Sequence, residues 1–400
     1  MLVAVVGCGA SGLMCAGFLR KAGHKVHVFD GNEKAGKKIY ITGKGRCNFT
    51  NASYGEDFAE NIVRGEKFLR SALANWNSYD TMDFFESLGC KTKVERGNRA
   101  FPESDKASDI TKALLKHCEG VNFHYNEKVI SIKKKEEQYL VESSKGVTSF
   151  DRVVIATGGK SYCATGSEGD GYKFAKSFGH NIVEIKPALV PIEVKDKFVK
   201  DLEGLALKNV KLRAIVDGKK IEEFGEMMFT DCGITGPIVL KISSLINRSE
   251  KVELSIDLKP ALSEKKLDER ILRDFESAKN KDISNVLKLL LPNSLINPFL
   301  KKCSIEASKK INSITAEERK KIIKNLKDFK LDFKGLYDIN TGVVTSGGVD
   351  LKEVNPKTME SKLSKGLYFI GEVLDIDAFT GGFNLQLAFS TAVACAKNIS

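Results

Sequence analysis

Val3-Ala4-Val5-Val6-Gly7-Cys8-Gly9-Ala10-Ser11-Gly12 decides the fold. Four β-branched or small apolar residues run into a glycine turn, and a helical pattern, Leu13 to Ala22, leaves it. The spacing is G-x-G-x-x-G, which seats a pyrophosphate on a helix N-terminus. Gly7 permits the tight turn. Gly9 lets backbone N–H groups approach phosphate oxygens, with Ala10 and Ser11 beside it. Gly12 allows close packing of helix on strand. A second strand, Lys25 to Phe29, ends at Asp30, 18 residues after Gly12. That carboxylate has the spacing of an acceptor for a ribose hydroxyl. The context predicts an α/β protein with a Rossmann-like dinucleotide domain.

The 400 residues are enough for two or three domains, and 42% hydrophobic with 29% charged content suits a globular enzyme. The first strand begins at Leu2, so no secretory leader is expected, and no apolar run approaches the roughly 20 residues of a membrane span. Nine scattered cysteines without a C-x-x-C pair argue against a disulfide framework or zinc site and for a reducing cytoplasm. The net charge is +11. Without long charge blocks, though with local clusters at Lys133-Lys134-Lys135 and Lys320-Lys321, it reads as an ordinary lysine-rich surface around an anionic cofactor, and nucleic acid is not expected as a partner.

Further elements point to the same cofactor. Residues 33–51 carry lysines and glycines, including Lys38, Thr42 and Gly43-Lys44-Gly45-Arg46-Cys47-Asn48. This loop reads as a second cofactor contact. Arg46 suits a phosphate or a flavin ring edge, and Asn48 offers an amide to the uracil-like edge. Cys47 reads as a small packed residue. Residues 56–90 read as helices, and Arg99 to Pro102 as a break. A strand near Val129 is positioned for a backbone contact to adenine. Phe150 to Ala156 reads as a buried strand, and Thr157, Gly158 and Gly159 as a turn passing close to the cofactor. A third element follows Gly366: Gly371, with Glu372 or Asp375 as acceptors for ribityl hydroxyls. A last helix begins at Gly382, where the N–H groups of Phe383, Asn384 and Leu385 can face the flavin pyrimidine. Pro187 and Pro191 mark a boundary. Alternating strands follow to about 262, then charged helices to about 330.

Together these stretches resemble one family. Thr42 to Asn51, Phe229-Thr-Asp-Cys-Gly-Ile-Thr-Gly-Pro237, Thr345-Ser-Gly-Gly-Val349, Thr358 to Lys362, Gly371 to Asp375 and Thr380 to Asn384 are similar to the HI0933-like flavoproteins, among them the aminoacetone-oxidase type. The resemblance implies a discontinuous FAD domain, 1–188 with 336–400. It also implies a β-barrel-like insert, 189–262 with an adjoining part of 327–340, and a helical lid, 263–330. One departure is Asp231, where many members carry His. If it meets substrate or flavin, an acceptor replaces a donor.

The function expected is an FAD-dependent oxidoreductase passing hydride to or from flavin N5, with catalysis by the flavin itself and Arg46, Asn48 and Asp231 as the weaker side-chain candidates. By resemblance, its small organic substrate is an aminoacetone-like amine or an oxo-bile acid. Either O₂ accepts the electrons or NADH or NADPH visits transiently as donor. No metal is expected. Two alternatives stand beside it: an RNA-associated flavoprotein and a redox-sensing flavoprotein without turnover.

Overall fold

The structure is a computed structural model describing residues 1–399. The chain divides into two units. One comprises Met1–Ala188 and the chain from Asp338 onward, the other Leu189–Tyr337.

The first unit is built on a five-stranded parallel sheet. Its order is Leu367–Phe369, Arg152–Ile155, Leu2–Val6, Lys25–Phe29, Asn122–His124. The strand quoted first is therefore central, and Val3, Ala4 and Val5 are fully buried. Central parallel strands lie between covered faces, which is why this one reads as an unbroken apolar run. Helix Ala10–Lys21 packs against the C-terminal helix Phe383–Asn398. Both bury small residues (Cys15 and Ala16, Ala392 and Cys395) that permit close approach. The first helix starts at Ala10, three residues before the apolar pattern suggested, with Leu13 N–H donating to the Gly9 carbonyl (3.0 Å). An antiparallel sheet of Val129–Lys135, Gln138–Ser143 and Gly146–Phe150 follows the parallel edge.

Two local readings are corrected. Arg99–Pro102 is a strand, paired with Thr92–Glu95 and with Thr50–Asn51; its proline is terminal, where a missing N–H is tolerated. Within 56–90, Ile62–Arg64 is a strand pairing with Asp377–Ala378. This pairing outweighs local helical periodicity.

The second unit carries a seven-stranded antiparallel sheet. The order is Phe329–Leu331, Glu253–Asp257, Ala206–Val216, Lys219–Phe229, Gly233–Thr235, Ile192–Val194, Phe333–Leu336. Helices Glu264–Glu276, Asn293–Cys303 and Ala316–Lys327 share one apolar core with it, including Leu212, Ile256, Leu267, Phe299, Leu326 and Phe329. Helix Ala316–Lys327 opens with a capping box in which Thr315 and Glu318 satisfy each other's backbone N–H groups. Among the described residues, no helix is long and apolar enough to cross a membrane.

Candidate functional site

The glycine turn separates into positions that the protein itself requires and one that it does not. Gly7 lies at φ +111°, and a Cβ there would sit 2.4 Å from the Ala156 carbonyl oxygen. A Cβ on Gly12 would sit 2.0 Å from the Gly7 oxygen. Gly9 differs: its φ of −88° suits any residue, and a Cβ there meets nothing within 4 Å. Packing does not require glycine here; as the helix N-cap, glycine leaves the space beside the backbone N–H groups open to a ligand. The adjoining helix has no side-chain N-cap and no acid in its first turn, so its end favours an anion.

Asp30 is clasped onto this turn. Its Oδ2 accepts from Cys8 N–H (2.7 Å), and its Oδ1 accepts from Asn32 N–H and Nδ2 (both 2.8 Å). Glu127 N–H donates to the Asp30 carbonyl (2.9 Å), which brings buried Val129 into the same neighbourhood. Thr157 and Gly158 follow from the strand beside the turn, where Ala156 N–H donates to Val6 (2.8 Å). Gly371 (φ +70°) packs on Ser11, because a Cβ there would meet its Oγ at 2.7 Å. The structure thus gathers all three glycine-bearing elements around one helix N-terminus.

The acids of the C-terminal element are held by protein groups. Glu372 Oε2 accepts from Lys38 Nζ (2.8 Å). Its Oε1 accepts from Thr345 N–H (2.9 Å) and the Ser161 hydroxyl (3.2 Å), while Lys38 also reaches Ser161 (2.7 Å). Burial opposes the charge on Glu372. The Lys38 cation and these donors outweigh it and hold the carboxyl below its usual range. Asp375 forms a two-pronged pair with Arg64, with Nε to Oδ1 at 2.6 Å and Nη2 on Oδ2. Nothing in sequence pointed to Arg64. Thr345 lay in a stretch already marked, and Ser161 two residues past the Gly158-Gly159 turn, but neither had a partner in view.

Arg46 is held by acids of the chain itself. Its guanidinium lies on Asp105 (Nε–Oδ1 2.8 Å) and Glu95, 4.2 Å from the Phe101 ring centroid. Those acids are joined by Lys93, and the ion-paired cluster lowers the pKa of both carboxyls. Arg46 therefore anchors a tightly wound loop in which Gly43, Lys44, Gly45 and Cys47 all have φ between +58° and +85°. Cys47 is fully buried, which pushes its thiol pKa far up. Thr42 ties the loop back by donating to the Lys38 carbonyl (2.9 Å).

Asn48 is the loop's functional candidate. Its Oδ1 is buried and, among the described residues, has no hydrogen-bond partner. A Cβ on Gly382 would lie 2.9 Å from that oxygen. The Gly382 helix, like the first, lacks a side-chain N-cap and an acid in its first turn. The side chain of Asn384 is spent on the preceding loop, accepting from Ala378 N–H (2.9 Å) and donating to its carbonyl (2.7 Å). Phe383, Asn384 and Leu385 thus contribute only backbone N–H groups. A second uncapped helix, an orphaned amide and open space at Gly9 fit a dinucleotide carrying a flavin.

Asp231 belongs to the other unit. It is exposed, with its Oδ1 accepting from the Cys232 thiol (3.3 Å); Cys232 also meets the Tyr337 hydroxyl (2.7 Å). Burial and the Cys232 contact push Tyr337 up to about 12, so its phenol stays protonated.

The model of the HI0933-like protein Rossmann domain matches residues 1–398. A ribosomal RNA dihydrouridine synthase of Escherichia coli is 31% identical over 402 residues, covering 99% of this chain and 97% of that protein. The Haemophilus influenzae protein of the same name is 32% identical, covering 99% and 98%. A 3-dehydro-bile acid delta(4,6)-reductase of Clostridium scindens is 29% identical, covering 97% and 96%. The chain belongs to the HI0933-like family and is an FAD-dependent oxidoreductase.

Proposed function

We propose that this protein reduces a carbon–carbon double bond conjugated to a carbonyl, and that its substrate is uridine in ribosomal RNA. The observation that carries the reading is the end-to-end match to two relatives named for that reaction. The bile acid reductase is named for a different substrate but for the same kind of bond. In this reading, C6 of the uracil ring receives hydride, C5 receives a proton, and the product is 5,6-dihydrouridine. NADH or NADPH supplies the two electrons. Bound FAD supplies the hydride carrier.

The residues divide the work of holding that carrier. The N–H groups at Gly9 to Gly12 receive the pyrophosphate, Asp30 an adenosine ribose hydroxyl, and the backbone at Val129 the adenine. Lys38 and Glu372 line the ribityl side. Asn48 and the Gly382 helix end bind the pyrimidine edge and favour negative charge there.

The test begins with anaerobic mixing of the holoprotein with NADH and with NADPH. The flavin band bleaches with one of them. The reduced protein is then given ribosomal RNA transcribed in vitro, and nucleosides are resolved by mass spectrometry. Dihydrouridine, heavier than uridine by two hydrogens, supports the reading. Bleaching without dihydrouridine, coupled to turnover of a 3-oxo-4,6-dienoic bile acid, moves the assignment to the small-molecule reading that the 29% relative favours. No bleaching by either nucleotide removes both.

A further inference from the structure

We infer that the helical part of the second unit carries a docking surface for the phosphodiester backbone of RNA, centred on Lys301, Lys320, Lys321, Lys324 and Lys330. The inference rests on the ribosomal RNA reading above and adds where the RNA is held.

The net charge is not evenly spread. Residues 279–334 contain fourteen Lys and Arg against six Asp and Glu, a net +8 in a chain of +11. Three of those acids are committed to cations: Asp282 to Lys310, Glu318 to Lys309, and Asp328 to Arg213. Lys301, Lys320, Lys321, Lys324 and Lys330 are exposed and make no ion pair among the described residues. Lys320 and Lys324 are four apart, and Lys321 and Lys324 three apart, on helix Ala316–Lys327, where like charges repel.

The elements bearing these lysines converge. Lys302 Nζ donates to the Lys330 carbonyl (2.7 Å), tying helix Asn293–Cys303 to strand Phe329–Leu331. The Cys303 thiol faces the Lys321 carbonyl (3.9 Å), tying that helix end to the middle of Ala316–Lys327. Phe299 and Phe329 stack beneath, with ring centroids 6.1 Å apart. On helix Ala316–Lys327 the exposed Glu317 precedes Lys320 and Lys321 by three and four residues, but the five exposed lysines outnumber it, and such an excess of cations without ion pairs matches a polyanion. A membrane surface fits less well. The apolar residues of Ala316–Lys327, Ile322, Ile323 and Leu326, are buried, leaving no exposed apolar stripe to enter a bilayer.

The experiment titrates the FAD-loaded, full-length protein with fluorescein-labelled ribosomal RNA transcribed in vitro, at several salt concentrations. It compares wild type with the Lys301→Gln, Lys320→Gln, Lys321→Gln, Lys324→Gln variant and with a control, Lys133→Gln, Lys134→Gln, Lys135→Gln. Flavin content and circular dichroism establish that each is folded. The wild type is expected to bind with a steep salt slope, and the four-lysine variant to lose about 0.7–0.9 from that slope per phosphate contact removed, roughly 3 in all. The control keeps the wild-type slope. A four-lysine variant with an unchanged slope overturns the surface and leaves the RNA reading standing. No binding by wild type at low salt overturns both. Loss of binding to phosphatidylserine vesicles in the variant, with RNA binding untouched, overturns the surface in favour of a membrane.

Discussion

The two units use their sequence in different ways. In the first, single atoms set the constraint: the Gly7 carbonyl against Gly12, the Ala156 carbonyl against Gly7, Lys38 against Glu372. In the second, buried area sets most of it, with a close backbone approach at Gly233, where a Cβ would lie 2.0 Å from the Ile192 oxygen. That unit's core is aliphatic and aromatic, and most of its charges lie outside, the pair of buried Asp257 with Lys327 excepted. A site that must admit another molecule's phosphates and ring edges needs particular residues at particular positions. An area-based core needs only pattern and volume. The comparison can be broken at four places.

The largest effect belongs to the area-based core. Phe299 is fully buried against Phe329. Phe299→Ala should cost about 3–5 kcal/mol, through lost transfer energy and a cavity. Alkylation of buried Cys303, mapped by peptide, should become rapid in the variant and stay slow in wild type.

Next comes the contrast between two glycines three residues apart. Gly12→Ala forces a methyl into a space 2.0 Å from backbone oxygen and should cost up to about 3 kcal/mol in the apoprotein. Gly9→Ala should leave apoprotein stability within about 0.5 kcal/mol of wild type. The same change should weaken FAD binding on the order of a hundredfold, by displacing phosphate from its N–H donors. Thermal melts of apoprotein and fluorescence titration with FAD read both. Equal destabilisation by the two variants would erase the distinction between a packing glycine and a ligand glycine.

How much of this was legible in the chain follows the same division. The central strand, the glycine turn and the Asp30 terminus were readable, because phosphate and ribose contacts demand fixed residue types at fixed spacing. Glu372 and Asp375 were visible as acids beside glycine, but their cations were not. Lys38 lies 334 residues from Glu372, and Arg64 lies 311 from Asp375. No local pattern encodes a partner at that separation. Arg46 shows the same limit: its partners Glu95 and Asp105 lie 49 and 59 residues away in sequence, so its ion pairs were not readable from the loop. Strand Arg99–Pro102 was hidden because its partners lie on both sides in space, with one of them 49 residues earlier in sequence. The order of the seven strands in the second unit was not readable either, since alternation names a strand's faces and not its neighbours.

Lys38 gives a third, intermediate effect. Lys38→Met leaves the partly buried Glu372 without its cation and should cost about 2 kcal/mol near neutral pH. The double variant Lys38→Met, Glu372→Gln should recover most of that loss. The sign with pH follows from the direction of the shift. The folded-state pKa of Glu372 lies below the ordinary 4.5, so its contribution is full above that value and fades as pH falls through the folded pKa. In Lys38→Met this contribution should shrink, and the acid limb of the stability curve should move to higher pH. Urea midpoints between about pH 3 and 7 measure it. Superimposable curves would show that Lys38 does not hold the carboxylate ionised.

The smallest effect on stability is expected at Asn48, where the ligand-facing reading is tested most sharply. A buried amide oxygen without a partner is a cost to the apoprotein, so Asn48→Ala should leave stability unchanged or raise it by up to about 1 kcal/mol. A residue kept for packing would behave in the opposite way and destabilise on truncation. If Asn48 meets the pyrimidine edge of the flavin, the same variant should bind FAD about tenfold more weakly, the worth of one hydrogen bond. It should also shift the flavin absorption band and midpoint potential, which spectroelectrochemistry reads directly. Weaker apoprotein with an unaltered flavin spectrum and potential would assign Asn48 to the fold and take it away from the ring. Stronger apoprotein with a shifted potential would mark it as a residue whose unmet bond is completed by the cofactor.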